Sequence, residues 1–106
     1  MITRTAIFEG SVKPGLEDRF FGEVETRLLP LWQDFPHALA VRWKRIVERD
    51  PDAPAIAMIQ EVDYPSRAHL AEAITSPQRN RARAMTMELL AMFEGRFYHL
   101  VSGTDD

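Results

Sequence analysis

The spacing of apolar positions changes several times along this 106-residue chain. Ile2 to Val12 is β-branched and partly alternating, the pattern of a half-buried strand. Lys13-Pro14-Gly15 breaks it. From Leu16 the apolar positions recur at steps of three and four, through Phe20, Val24, Leu28, Leu31 and Phe35, which makes one stripe of a helix. Glu17 and Asp18 fall in its first turn, where the helix dipole favours negative charge. Pro30 lies near its end. It has no N–H and crowds the preceding turn, so it predicts a kink or an early stop. Phe35 to Ala38 reads as a connection. Leu39 to Glu48 and Ala55 to Tyr64 read as two strands, joined through the turn cluster Asp50 to Pro54 into an antiparallel hairpin. Ser66 is placed to cap a short helix, Arg67 to Thr75. Ser76-Pro77 then restarts a helix, the serine as cap and the proline at a first position where its missing N–H costs nothing. Ala82, Met85, Leu89, Met92 and Phe93 form its apolar stripe, and Gly95 is the expected C-terminal stop. Arg96 to Ser102 is the last strand, followed by the polar tail GTDD.

The order is β-α-β-β-α-β with the second helix split, which is the order of the ferredoxin-like α+β sandwich. Two helices would cover one face of a four-stranded antiparallel sheet. The third strand offers Ile56, Met58 and Val62 on one side and Ala55, Ala57 and Ile59 on the other; the last offers Phe97 and Val101 against Tyr98 and Leu100. A sheet with one solvated face alternates more cleanly than this. The second face therefore calls for a cover, and a second copy of the chain is the economical one. The length fits a single domain over residues 1–106, small enough to leave much of its surface for association.

Charge narrows the function classes. A net charge of −3 argues against nucleic acid and against an anionic membrane, both of which ask for a basic surface. There is no cysteine, hence no disulfide framework and no thiolate nucleophile or ligand. No apolar run has the length of a membrane span, and the N-terminal segment has no signal-peptide block. The reading is a soluble cytoplasmic protein.

Four segments together resemble the dimeric α/β-barrel superfamily, and within it the EthD-like and antibiotic-biosynthesis-monooxygenase-like branches. They are the first strand with VKPGLEDRF, the LLPLW that ends the first helix, the block EVDYPSRAHLAEAITSPQRNRA, and MFEGRFYHLV. The resemblance implies a homodimer with its sheets face to face and a ligand cavity in each subunit. It implies chemistry on a small organic molecule, often without metal or organic cofactor, by a cofactor-independent monooxygenase or a proton-transfer enzyme. The alternative is a non-catalytic, ligand-binding or stress-associated homodimer of the same fold. Two departures bear on this. EthD-like sequences often carry a histidine where this chain has Leu28, within the apolar stripe. Haem-degrading relatives need a histidine on the second long helix, and Pro77 to Glu94 contains none, so no cofactor is expected.

The candidate chemical residues are His99, Tyr64 and His37. The chain has three histidines, each able to act as acid or base, and no two share a short metal-ligand spacing. His99 lies mid-strand between Phe97 and Val101. It is either a partly buried residue bonded to a backbone or carboxylate partner, or an acid/base lining a cavity. Tyr64 offers a hydrogen bond to a substrate oxygen. His37 follows a proline in a connection near the expected mouth of the cavity, and His69 reads as exposed. Glu61 and Asp63, two apart on a strand, and Glu9 beside them, read as a solvated sheet end before a proton-transfer pair. Trp43 and Arg45 on the second strand read as interface residues. Arg79 and Arg83 share a helix face that Arg81 does not, and a solvated face is the default for such a run.

Overall fold

The computed structural model describes residues 1–103; of the expected polar tail, residues 104–106 lie outside the described residues. β1 (Ile2–Val12) runs through the middle of a four-stranded antiparallel sheet in the order β2-β3-β1-β4, with β2 (Ala40–Arg45), β3 (Ile56–Tyr64) and β4 (Phe93–Gly103). The helices α1 (residues 17–33), α2 (Arg67–Ile74) and α3 (Pro77–Leu89) pack on one face. This is the ferredoxin-like arrangement expected from the order of elements.

The caps of α2 and α3 are those the sequence predicts. The Ser66 hydroxyl accepts from the His69 N–H and the Ser76 hydroxyl from the Arg79 N–H, with Pro77 at the first position of α3. The hairpin strand β2 stops at Arg45, short of the expected Glu48. The segment beyond it holds Pro51 and Pro54, which cannot donate to a ladder.

Two expectations are corrected. Of the kink or early stop expected at Pro30, the stop does not occur: the helix continues to Gln33, with its regular winding interrupted by a π turn at Val24–Leu28 just before the proline. The buried positions explain it. Phe20, Val24, Leu28 and Trp32 recur at steps of four and are all 4% exposed or less. In an α-helix each step of four overshoots one turn by ~40°, so the row would wind off the core face. The wider i→i+5 turn takes up that drift. It also shifts the end of the stripe by one residue, so that Trp32 is buried where Leu31 was expected.

Gly95 is not the stop of α3. The helix tightens into a 3-10 turn at Leu90–Met92 and the chain is already extended at Phe93. Phe93 demands this: its ring is in the core, stacked on Phe20 at 5.8 Å and edge-on to Phe8 at 6.3 Å. Gly95 instead sits in β4 directly opposite Gly10 of β1, and both have positive φ, 147° and 132°. A Cβ on Gly95 would run into the Glu9 carbonyl oxygen, and one on Gly10 into that of Glu94. The two strands approach here because neither carries a side chain.

Candidate active site

The ladder sets the inward-facing side chains of the sheet in rows. Ile2 stands beside Tyr64, Arg4 beside Val62 and Val101, Ala6 beside Gln60 and His99, and Phe8 beside Met58 and Phe97. The rows at Ile2 and Phe8 are filled by large buried side chains. Ala6 is small, so the floor drops between Gln60 and His99. Above it α3 presents Arg79, Ala82, Arg83 and Thr86, at the spacing of one helix face, while Trp32 and Phe35 close the side. The result is a cavity of about 50 Å³. A water needs roughly 10–15 Å³ of such space, so the single chain has room for a few waters or a small molecule. It falls short of a drug-sized pocket.

His99 lines this cavity and faces the helices together with Phe97, whose ring it meets edge-on at 5.6 Å. Burial in the first place, then the charges of Arg4, Arg79 and Arg83, lower its pKa from 6.5 to about 4. It is therefore unprotonated at neutral pH. The backbone or carboxylate partner that a structural histidine would have is absent among the described residues; the charged groups around its ring are cations.

Tyr64 lines the same cavity from β3, almost wholly buried. Burial raises its pKa, partly offset by the neighbouring Arg4, so it keeps its proton and can donate. The fold thus brings His99 and Tyr64 to one cavity from strands on either side of β1. It does not bring His37 there. His37 sits in the connection after α1 with φ at 64°, its Nε2 2.6 Å from a Glu72 carboxylate oxygen and its ring 4.6 Å from that of His69. Helix α2 draws it away from the cavity. His69 is half-buried rather than exposed, its Nδ1 2.7 Å from the Ser66 hydroxyl.

The carboxylates lie on the opposite face of the sheet. Arg42 bridges Glu61 and Asp63 at 2.9 Å each, and Thr3 donates to Asp63 at 2.6 Å. The Arg42 hydrogen bond holds the Asp63 carboxyl below the usual carboxylate range. Glu9 does not join them; it accepts from Tyr98 at 3.1 Å and from Arg96 at 3.3 Å. Trp43 and Arg45 lie on the face of the sheet that carries the helices. Trp43 stacks on Phe21 and donates to Glu25 at 3.0 Å, and the Arg45 guanidinium lies 4.0 Å from the Phe21 ring centre. Sequence reasoning missed Arg4, Gln60 and Thr86 as cavity residues. Arg4 had a signal: it is an arginine at an inward position of a strand that otherwise buries Ile2, Ala6 and Phe8.

No family model matches the chain, and no curated protein matches it. Solved structures share its fold. An EthD-family protein from Bacillus halodurans superposes with a TM-score of 0.75 over 98% of both chains, at 15% identity. An antibiotic biosynthesis monooxygenase superposes with a TM-score of 0.64 over 100% of both, also at 15%. A dimeric protein of unknown function and ferredoxin-like fold from Bacteroides fragilis gives 0.68 over 97% of this chain and 95% of its own, at 8%. The chain therefore has the ferredoxin-like fold that EthD-like and monooxygenase-like proteins use, as the resemblance in its sequence implied. At these identities the likeness speaks for the fold.

Proposed function

We propose that this chain is a single-domain, homodimeric, cytoplasmic enzyme that moves a proton on a small organic molecule bound in the cavity beneath α3. The observation that carries the reading is the presence of His99 and Tyr64 in the lining of one cavity. His99 has no proton at neutral pH and no structural partner among the described residues, so its lone pair is available as a base. Tyr64 keeps its proton, and in this reading it stabilises the oxygen on which charge develops. In the reaction, the imidazole removes a proton from carbon next to a carbonyl group, Tyr64 donates to the resulting enolate oxygen, and the proton returns to carbon. His37 lies outside this scheme and is not assigned a part in it.

A homodimer through the outer face of the sheet is supported by Ile7, Ile59, Tyr98 and Leu100, which share that face, opposite the one the described helices cover. The described dimeric state of the Bacteroides fragilis protein points the same way. No helix among the described residues is long and apolar enough to cross a membrane.

The test is deuterium wash-in. Small unsaturated and aromatic carbon acids are incubated with the protein in D₂O, and isotope uptake is followed by NMR. The reading expects catalysed exchange, reduced on the order of 10²-fold by His99→Ala and by Tyr64→Phe, with His37→Ala unchanged. Exchange that survives both cavity substitutions removes them from the mechanism. The small size of the cavity favours a second reading, a non-catalytic binding dimer. Saturable binding of the same compounds with no exchange at all decides for it.

A further inference from the structure

Among the described residues, Arg19, Arg27, Arg42, Arg81 and Arg96 are seen paired with carboxylates. The cavity arginines are not. Arg4, Arg79 and Arg83 all line it, no aspartate or glutamate does, and none of the three has a carboxylate partner among the described residues. This is a concentration of positive charge in a chain whose net charge is −3. Arg4 is half-buried on β1, where it loses part of its hydration and is further opposed by Arg79. Gathering like charges around a partly desolvated one is costly unless something of opposite sign completes them.

Beside the polar Gln60, Tyr64, Thr86 and His99, the wall offers flat apolar surfaces from Phe8, Trp32, Phe35 and Phe97. We propose that the cavity takes a small organic anion, a planar carboxylate, whose charged end is held by Arg4, Arg79 and Arg83 and whose apolar end lies among these rings. Guanidinium forks match carboxylate geometry and stack on flat groups, which suits both ends of such a molecule. The proposal rests on the reading of this cavity as the active site and names its substrate class. It also supplies what that reading lacks. Burial first, and then the arginines that face His99 from β1 and α3, suppress its basicity, and Tyr64 and Gln60 on β3 and Thr86 on α3 add no negative charge. A bound carboxylate neutralises part of that field, so the substrate itself makes His99 a better base.

The probe is benzoate, with benzamide as its uncharged counterpart and acetate as an anion without a ring. Binding is followed by NMR shift changes and calorimetry at low salt, where charge effects are least screened. We expect saturable benzoate binding with shifts at Tyr64, Phe97 and His99, and affinities at least roughly tenfold lower for benzamide and for acetate. Arg4→Gln, and separately Arg79→Gln with Arg83→Gln, each weaken benzoate roughly tenfold or more. Arg81→Gln, on the same helix but paired with Asp34, leaves it unchanged. Saturating benzoate raises the titration midpoint of the His99 imidazole. The α3 double substitution keeps the test decisive if Arg4→Gln does not fold. Equal binding of benzoate and benzamide, an equal loss on Arg81→Gln, or no benzoate binding overturns the proposal. Failure of the enzyme reading looks different: benzoate binds as described while no compound undergoes exchange.

Discussion

His99 carries a consequence for stability that is independent of any substrate. Its pKa in the fold, about 4, is below its ordinary 6.5. Above pH 6.5 the group is neutral in both folded and unfolded chains and makes no difference. Between 6.5 and 4 the unfolded chain takes up a proton that the folded one refuses, so stability falls as pH falls. Thermal unfolding measured from pH 7 to 4.5 should show this slope, and His99→Asn should flatten it. Asp63 acts in a separate window, because its pKa in the fold is lowered below 3.8. The stability it contributes persists through the His99 range and is lost only in stronger acid. Ala6 is the other residue on which the cavity turns. Ala6→Leu should fill the floor between Gln60 and His99 and abolish benzoate binding. The fold should survive at a cost of about 1–3 kcal/mol, read by denaturant unfolding alongside the binding titration.

At the scale of elements, the pairing of β1 with β4 depends on two glycines facing each other. Gly95→Ala or Gly10→Ala places a methyl group against a backbone carbonyl, at a positive φ that other residues rarely adopt. Each should destabilise the chain by about 2 kcal/mol, seen as a lower denaturant midpoint without loss of secondary structure. Element identities were legible in the sequence because their signals are local. The serine caps, Pro77 and the acidic first turn of α1 all act within a few residues. The end of α3 and the π turn of α1 were not legible. The first is decided by Phe93 reaching Phe8 and Phe20, and the second by keeping Phe20, Val24, Leu28 and Trp32 on one core. Both are contacts between elements far apart in the chain.

At the scale of the molecule, the outer face of the sheet combines a polar side, where Arg42, Glu61, Asp63 and Thr3 satisfy one another, with an apolar one around Ile7, Ile59 and Leu100. Leu100 is 54% exposed in the single chain. A second copy meeting this face would remove that area from water. Light scattering at micromolar concentration should return twice the 12.2 kDa of one chain, and Leu100→Lys with Ile59→Lys should return the monomer mass. A monomer mass for the unaltered chain would end the dimer reading.

What the sequence determined by itself is the order and type of the elements, and from them the ferredoxin-like fold. Strand alternation, helix periodicity and caps are short-range properties, and few topologies accept their order. It also determined which residues have chemistry to offer. The tertiary structure alone decided which of them meet. Arg4 on β1, Tyr64 on β3, Arg79 and Arg83 on α3 and His99 on β4 are scattered over 96 positions of chain, and only strand register and the placement of α3 over Ala6 bring them to one cavity. His37, as reactive in isolation as His99, is carried elsewhere by the same packing.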